Sequence, residues 1–215
     1  MKFYALLVLT ILASLTTIHA SAQAPTAAEI FARTPSTSFF LVDSVTGLDM
    51  LDYYRSGIDR PSSTVIGGSA RIIDEEPLSL KLRIGESTDY QIAVLPAKND
   101  TVVAVIETLS SSIPDSRIEF YNIGWQPVNN PDRLFKAPSL SEWLTPEGKK
   151  DKEYVELTVP FLFTSYSYDP ADGILTLTDN TPEYFYGDER EKVSRMLRRS
   201  LKFRWNGSKF VTVKQ

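Results

Sequence analysis

Cysteine is absent from the 215 residues, and histidine occurs once, at His19. His19 lies inside an N-terminal leader, so the chain beyond it carries neither imidazole nor thiol. Ser-His-Asp and Cys-His catalysis, the HExxH zinc site and cysteine-rich zinc or iron–sulfur centres are therefore excluded. No disulfide framework can form, and the core alone must hold the fold. Nucleotide templates are missing too: Gly67 and Gly68 belong to neither GxGxxG nor a P-loop. No serine beyond the leader stands three residues before a lysine, which removes the Ser-x-x-Lys nucleophile. Basic tracts are lacking as well: the net charge is −4, and REKVSRMLRRSLKFR at 190–204 mixes charged with apolar residues. That pattern argues against nucleic-acid binding.

Only one long apolar stretch occurs, Ala5 to Ala13, within MKFYALLVLTILASLTTIHASAQAP. Its order, Lys2, then apolar, then small residues ending in Ala20-Ser21-Ala22, is that of a secretory signal peptide. Cleavage after Ala22 is expected, giving a leader at 1–22, a mature chain at 23–215, and a periplasmic, envelope or extracellular destination. Nothing later is long and apolar enough to predict a transmembrane segment.

The remainder predicts an α+β domain dominated by antiparallel sheet. Thr26 and Glu29 have capping-box spacing ahead of a short helix. In GLDMLDYYRSG, Met50, Leu51, Tyr54 and Ile58 gather on one side of a second helix and Asp49 and Asp52 on the other. Arg55 is placed to pair with Asp52, and Gly57 suits the left-handed residue that ends a helix.

From Ser69 to Trp125 the apolar period is two, as in Leu78, Leu80, Leu82 and Ile84. Short connections make this a meander of about five strands. Residues 126–152 interrupt it as a domain boundary or a long excursion, with a second capping box at Ser139 and Glu142. Val155, Leu157, Val159 and Phe161 alternate as in a strand, and ILTLTD predicts another. A helix over Asp188–Arg199 and a hairpin turning at Asn206-Gly207 complete the chain.

Two kinds of candidate site remain. Asp49 and Asp52 are weak acidic candidates, since a glycoside hydrolase needs two carboxylates facing one another; their helical spacing favours a solvated face. Aromatics supply the other: Tyr166, Tyr168, Tyr184, Phe185 and Tyr186 are the rings left over for an exposed recognition patch once the core is packed. No catalytic, cofactor or metal residue is assigned.

LDMLDYYRSG, GGSARI, PLSLKL, QIAVLP, VVAVIETL and SRIEFYNIGWQPV, taken in order, resemble the DUF3256 family of uncharacterised exported proteins from Bacteroidales. The resemblance covers most of the mature chain and is strongest over residues 30–128. It implies a bacterial envelope setting and supplies no catalytic set to carry across. A non-enzymatic binding or envelope-associated module for a protein or glycan is the expectation. A carboxylate-based hydrolase acting on a glycan, or a structural or assembly role, is the alternative.

Overall fold

The period-two stretch folds as expected. In the computed structural model, which describes residues 25–35, 42–97 and 100–214, it forms β2 (Ser69–Glu76), β3 (Ser79–Ile84), β4 (Thr88–Pro96), β5 (Thr101–Leu109) and β6 (Asp115–Asn122). With the short β1 (Ser62–Ser63) they make a six-stranded antiparallel sheet in sequential order. The leader at 1–22 lies outside the described residues.

Two short helices cover one face of this sheet. The capping box starts α1 (Ala27–Phe31): the Glu29 N–H donates to Thr26 Oγ1 (3.2 Å) and the Thr26 N–H to Glu29 Oε2 (2.9 Å). Helix α2 (Ser44–Arg55) begins three residues before Gly47, because Asp43 caps it by accepting from the Thr46 N–H at 2.7 Å. Gly47 therefore sits inside the helix, and a Cβ there would lie 3.4 Å from the Phe31 ring. Gly57, at φ 65°, follows the helix end.

Antiparallel register places Leu80, Ile92 and Val105 side by side against the helices, and Ala93, Ala104 and Phe120 on the reverse face. Both faces of β4 and β5 are buried, which is why QIAVL and VAVI read as near-continuous apolar runs.

The second sheet covers that reverse face. It contains β7 (Thr164–Asp169), β8 (Ile174–Asp179), β9 (Ser200–Trp205) and β10 (Phe210–Thr212), in the order β10-β9-β8-β7. Three side chains of the large sheet seal the β7 edge. Asp115 accepts from the Thr164 N–H (2.9 Å), Ser116 from the Tyr166 N–H (3.0 Å) and Gln91 from the Tyr168 N–H (2.9 Å). The Gln91 amide also donates to the Tyr168 carbonyl (2.6 Å) and to Ser79 Oγ (2.8 Å). One buried side chain thus imitates a strand partner and latches the two sheets.

Residues 126–152 are irregular, with a 3-10 turn (Pro131–Arg133) and the helices α3 (Leu140–Trp143) and α4 (Pro146–Lys150). The Ser139–Glu142 capping box is present, and Trp143 and Leu144 are buried in the core between the sheets.

Two local expectations change. Residues read as a strand around Val155 form α5 (Lys152–Thr158) instead. Val155 and Val159 are four apart and face the core, whereas Leu157 and Phe161, also four apart, are exposed. A four-residue recurrence satisfies strand and helix periods alike, and Pro160 stops the segment short of β7. The expected two-residue Asn-Gly turn is a four-residue loop: Trp205 pairs with Phe210, and Asn206 Oδ1 accepts from the Ser208 and Lys209 N–H groups.

Candidate functional site

The aromatic surface grows from two chain segments that meet at one end of the small sheet. One enters β7 and carries Phe161 and Phe163. Its counterpart leaves β8 through a 3-10 turn (Thr181–Tyr184) and runs into α6 (Gly187–Met196). The Asn180 N–H donates to the Phe163 carbonyl (2.8 Å) and the Phe163 N–H to Thr181 Oγ1 (3.1 Å), fixing the segments side by side.

The rings form a chain of contacts. Phe161 meets Phe163 at 5.2 Å and 86°, and Tyr184 meets Phe161 at 6.0 Å and 71°. Phe163 and Tyr184 are 5.9 Å apart, and Tyr184 packs edge-on against Phe185 at 5.4 Å. Such tilted geometry suits the ring quadrupoles. Phe163 and Phe185 are half-buried, whereas Phe161 is 52% exposed, Tyr184 51% and the neighbouring Tyr186 87%. Leu157, near the end of α5 and four residues before Phe161 in the chain, is 79% exposed.

Charged pairs lie close by in sequence and structure. Arg190 grips Glu183, Lys152 pairs with Glu156 at 3.3 Å, and Lys192 stands 3.3 Å above the Tyr154 ring, whose hydroxyl donates to Glu189.

Of the five rings expected in such a patch, Tyr184 and Tyr186 are exposed, and Phe185 is half-buried, touching Tyr184 on one side and the core between the sheets on the other. Tyr168 does not join the patch: it is 4% exposed and lies between the sheets, where burial, then Asp169, pushes its phenol up to about 12. Tyr166 faces the same way, is half-buried, and meets Phe135 edge-on at 6.1 Å. The Ser-Tyr-Ser-Tyr alternation puts both tyrosines on the inner face of β7. Phe161 and Phe163, outside the expected patch, join Tyr184 because they fall between α5 and β7; Pro160, which cannot continue either element, is the sequence signal for that break.

Asp49 and Asp52 are exposed on α2, as their spacing predicts. Arg55 leaves Asp52 and forms a bidentate pair with Glu75 on β2, Nε to Oε2 at 3.0 Å and Nη2 to Oε1 at 2.5 Å. This contact ties helix to sheet. The apolar side of α2 is buried only in part: Met50 and Leu51 are covered, while Tyr54, together with Ile58 beyond the helix end rather than on the helix, lines a surface groove of about 240 Å³.

Glu107 and Glu119 share the helix-covered face of the large sheet, and Arg117 pairs with both. Tyr90 donates to Glu107 at 2.6 Å and Tyr121 to Glu119, so each carboxylate is held by a cation and a phenol. Among the described residues, no group of three or more Asp or Glu side chains is placed to hold a metal ion. No helix there is long and apolar enough to cross a membrane.

No curated protein matches the chain. A solved domain of an uncharacterised protein from Porphyromonas gingivalis W83 is similar in fold, with a TM-score of 0.72 at 18% identity over 86% of this chain and 97% of that one. The sequence pattern of a family described as protein of unknown function matches residues 19–210. The chain belongs to that family, DUF3256.

Proposed function

We propose that the protein is a non-enzymatic binding module whose contact surface is the patch formed by Leu157, Phe161, Phe163, Tyr184, Phe185 and Tyr186, and that its partner is a protein. One observation carries the reading: Phe161, Tyr184 and Tyr186 stay exposed beside charged pairs, the apolar centre and polar rim of a protein interface. A glycan partner fits less well. Sugars favour a flat aromatic platform, whereas Phe161 crosses Phe163 and Tyr184 at steep angles. The leader pattern supports an envelope or extracellular setting, where a cysteine-free module needs no oxidation to mature.

Aromatic anchors at interface centres commonly contribute about 2 kcal/mol or more each. A photo-crosslinking amino acid at Tyr186 should trap a discrete protein partner in the native cell, and Phe161→Ser should abolish the product without changing the melting temperature. Equal labelling from a probe at Thr176, on the outer face of the small sheet, would sink the proposal. So would a crosslink that survives Phe161→Ser.

A further inference from the structure

The charges of this chain are unevenly distributed. Residues 190–215 hold nine basic side chains and one acidic, although the whole chain is at −4. Ion pairing is uneven in the same sense. Among the described residues, every salt bridge draws its cation from Arg55, Arg71, Lys81, Arg83, Arg117, Lys152, Arg190 or Arg195. The six cations beyond Leu197 enter none, and no acidic residue follows Leu197.

Three of those six, Arg198, Lys202 and Lys214, line a groove of about 370 Å³ beside β10, the outer strand of the small sheet. Glu142 is the one acid in its wall; it is held by the capping box, accepting from the Ser139 N–H at 2.8 Å, and leaves the three cations in excess. Leu201 and Val213, both half-buried, contribute an apolar floor.

Strand polarity adds a second element. The Val213 N–H donates inward to the Lys202 carbonyl (2.8 Å), while that of Phe210 donates outward to the Leu134 carbonyl (2.8 Å). By alternation, the Thr212 backbone points out of the sheet, and Thr212 lines the groove. A sheet edge with an outward peptide group, an apolar floor and three cations without ion-pair partners has the features of a strand-addition site.

We infer that this groove binds an acidic, extended segment of another polypeptide, which pairs with the β10 edge at Thr212 and sets its carboxylates on Arg198, Lys202 and Lys214. Charge complementarity selects the occupant, since clustered like charges oppose folding and an acidic strand relieves them. The surface is separate from the aromatic patch and independent of its partner.

Fluorescence anisotropy with a labelled short peptide of alternating glutamate and valine tests the inference. Saturable binding is expected, with none for the lysine–valine counterpart. Lys202→Glu with Lys214→Glu should weaken it about tenfold or more. Thr212→Pro removes the outward N–H and leaves the cations in place, so it should also abolish binding at an unchanged melting temperature. If that variant unfolds, amide exchange in the parent protein replaces it: the peptide should slow exchange at Thr212. Retention of the peptide by folded Thr212→Pro, unprotected Thr212, or tighter binding of a sulfated oligosaccharide would overturn strand addition. Absence of saturable binding would overturn the site.

Discussion

Gln91→Ala removes the latch between the two sheets. In the native protein the Gln91 amide meets the Tyr168 N–H and carbonyl and the Ser79 hydroxyl, at 2.9, 2.6 and 2.8 Å, and all three residues are buried. Alanine leaves the outward N–H and C=O of Tyr168 facing a small void. An orphaned buried polar group costs about 1–3 kcal/mol, so two of them predict a loss of about 3 kcal/mol even with some relief by water. For a chain of this size that is a fall of roughly 6–12 °C in melting temperature. Ser79→Ala deletes only one contact of the same amide and should cost about 1 kcal/mol.

Gln91→Glu sharpens the test. A carboxylate can accept from the Tyr168 N–H but cannot donate to the Tyr168 carbonyl, and burial disfavours its charge. Its folded pKa is therefore raised above the unfolded value of about 4.3. A carboxyl with a raised folded pKa contributes stability below the unfolded pKa and loses it as pH rises through the folded one. Relative to the parent, Gln91→Glu should be least destabilised in mild acid and progressively worse towards neutral pH. Urea unfolding of parent and variants across that range measures both effects. A loss below about 1 kcal/mol for Gln91→Ala, or a pH-independent penalty for Gln91→Glu, would refute the latch.

Two further substitutions probe the helical side and the sheet end. A Cβ at Gly148 would sit 2.3 Å from the Met196 carbonyl oxygen, so Gly148→Ala should destabilise by about 1–3 kcal/mol in denaturant unfolding, outweighing the roughly 1 kcal/mol gain in helix propensity. A gain in stability would show that α4 can move off α6. Burial pushes the Asp179 carboxyl upward against the opposing hydrogen bonds from Thr181. Its raised folded pKa means that stability is lost as pH rises through that value. Asp179→Asn keeps an acceptor for the Thr181 N–H, so it should raise the melting temperature at neutral pH, with the gain shrinking in acid; a constant difference would contradict the burial argument.

Features of this fold that depend on near neighbours were legible in the sequence. Thr26 with Glu29 and Ser139 with Glu142 form their capping boxes, and the period-two run became the predicted meander. Each involves groups a few residues apart, or a repetition that one strand displays by itself. Arg55 shows where such reasoning stops. Asp52 was the partner three residues away, yet the guanidinium spans 20 positions to Glu75, because two hydrogen bonds to one carboxylate hold better than a helix-surface contact.

The tyrosines of the expected patch end in different surroundings for one physical reason. Tyr168 and Tyr184 are equally good surface tyrosines on paper, and only the placement of the second sheet decides between them. Tyr168 lies where Gln91 reaches across 77 positions to its backbone, so the β7 face that carries it must be covered. Tyr184 lies beyond the last pair of that sheet, Thr164 with Asp179, where no strand remains to cover it. Its ring can bury one edge only against Phe161, Phe163 and Phe185, which end the sheet beside it. The aromatic patch is thus a consequence of the sheet stopping short of its own aromatic residues, and exposure there follows from the register of β7 and β8 rather than from composition.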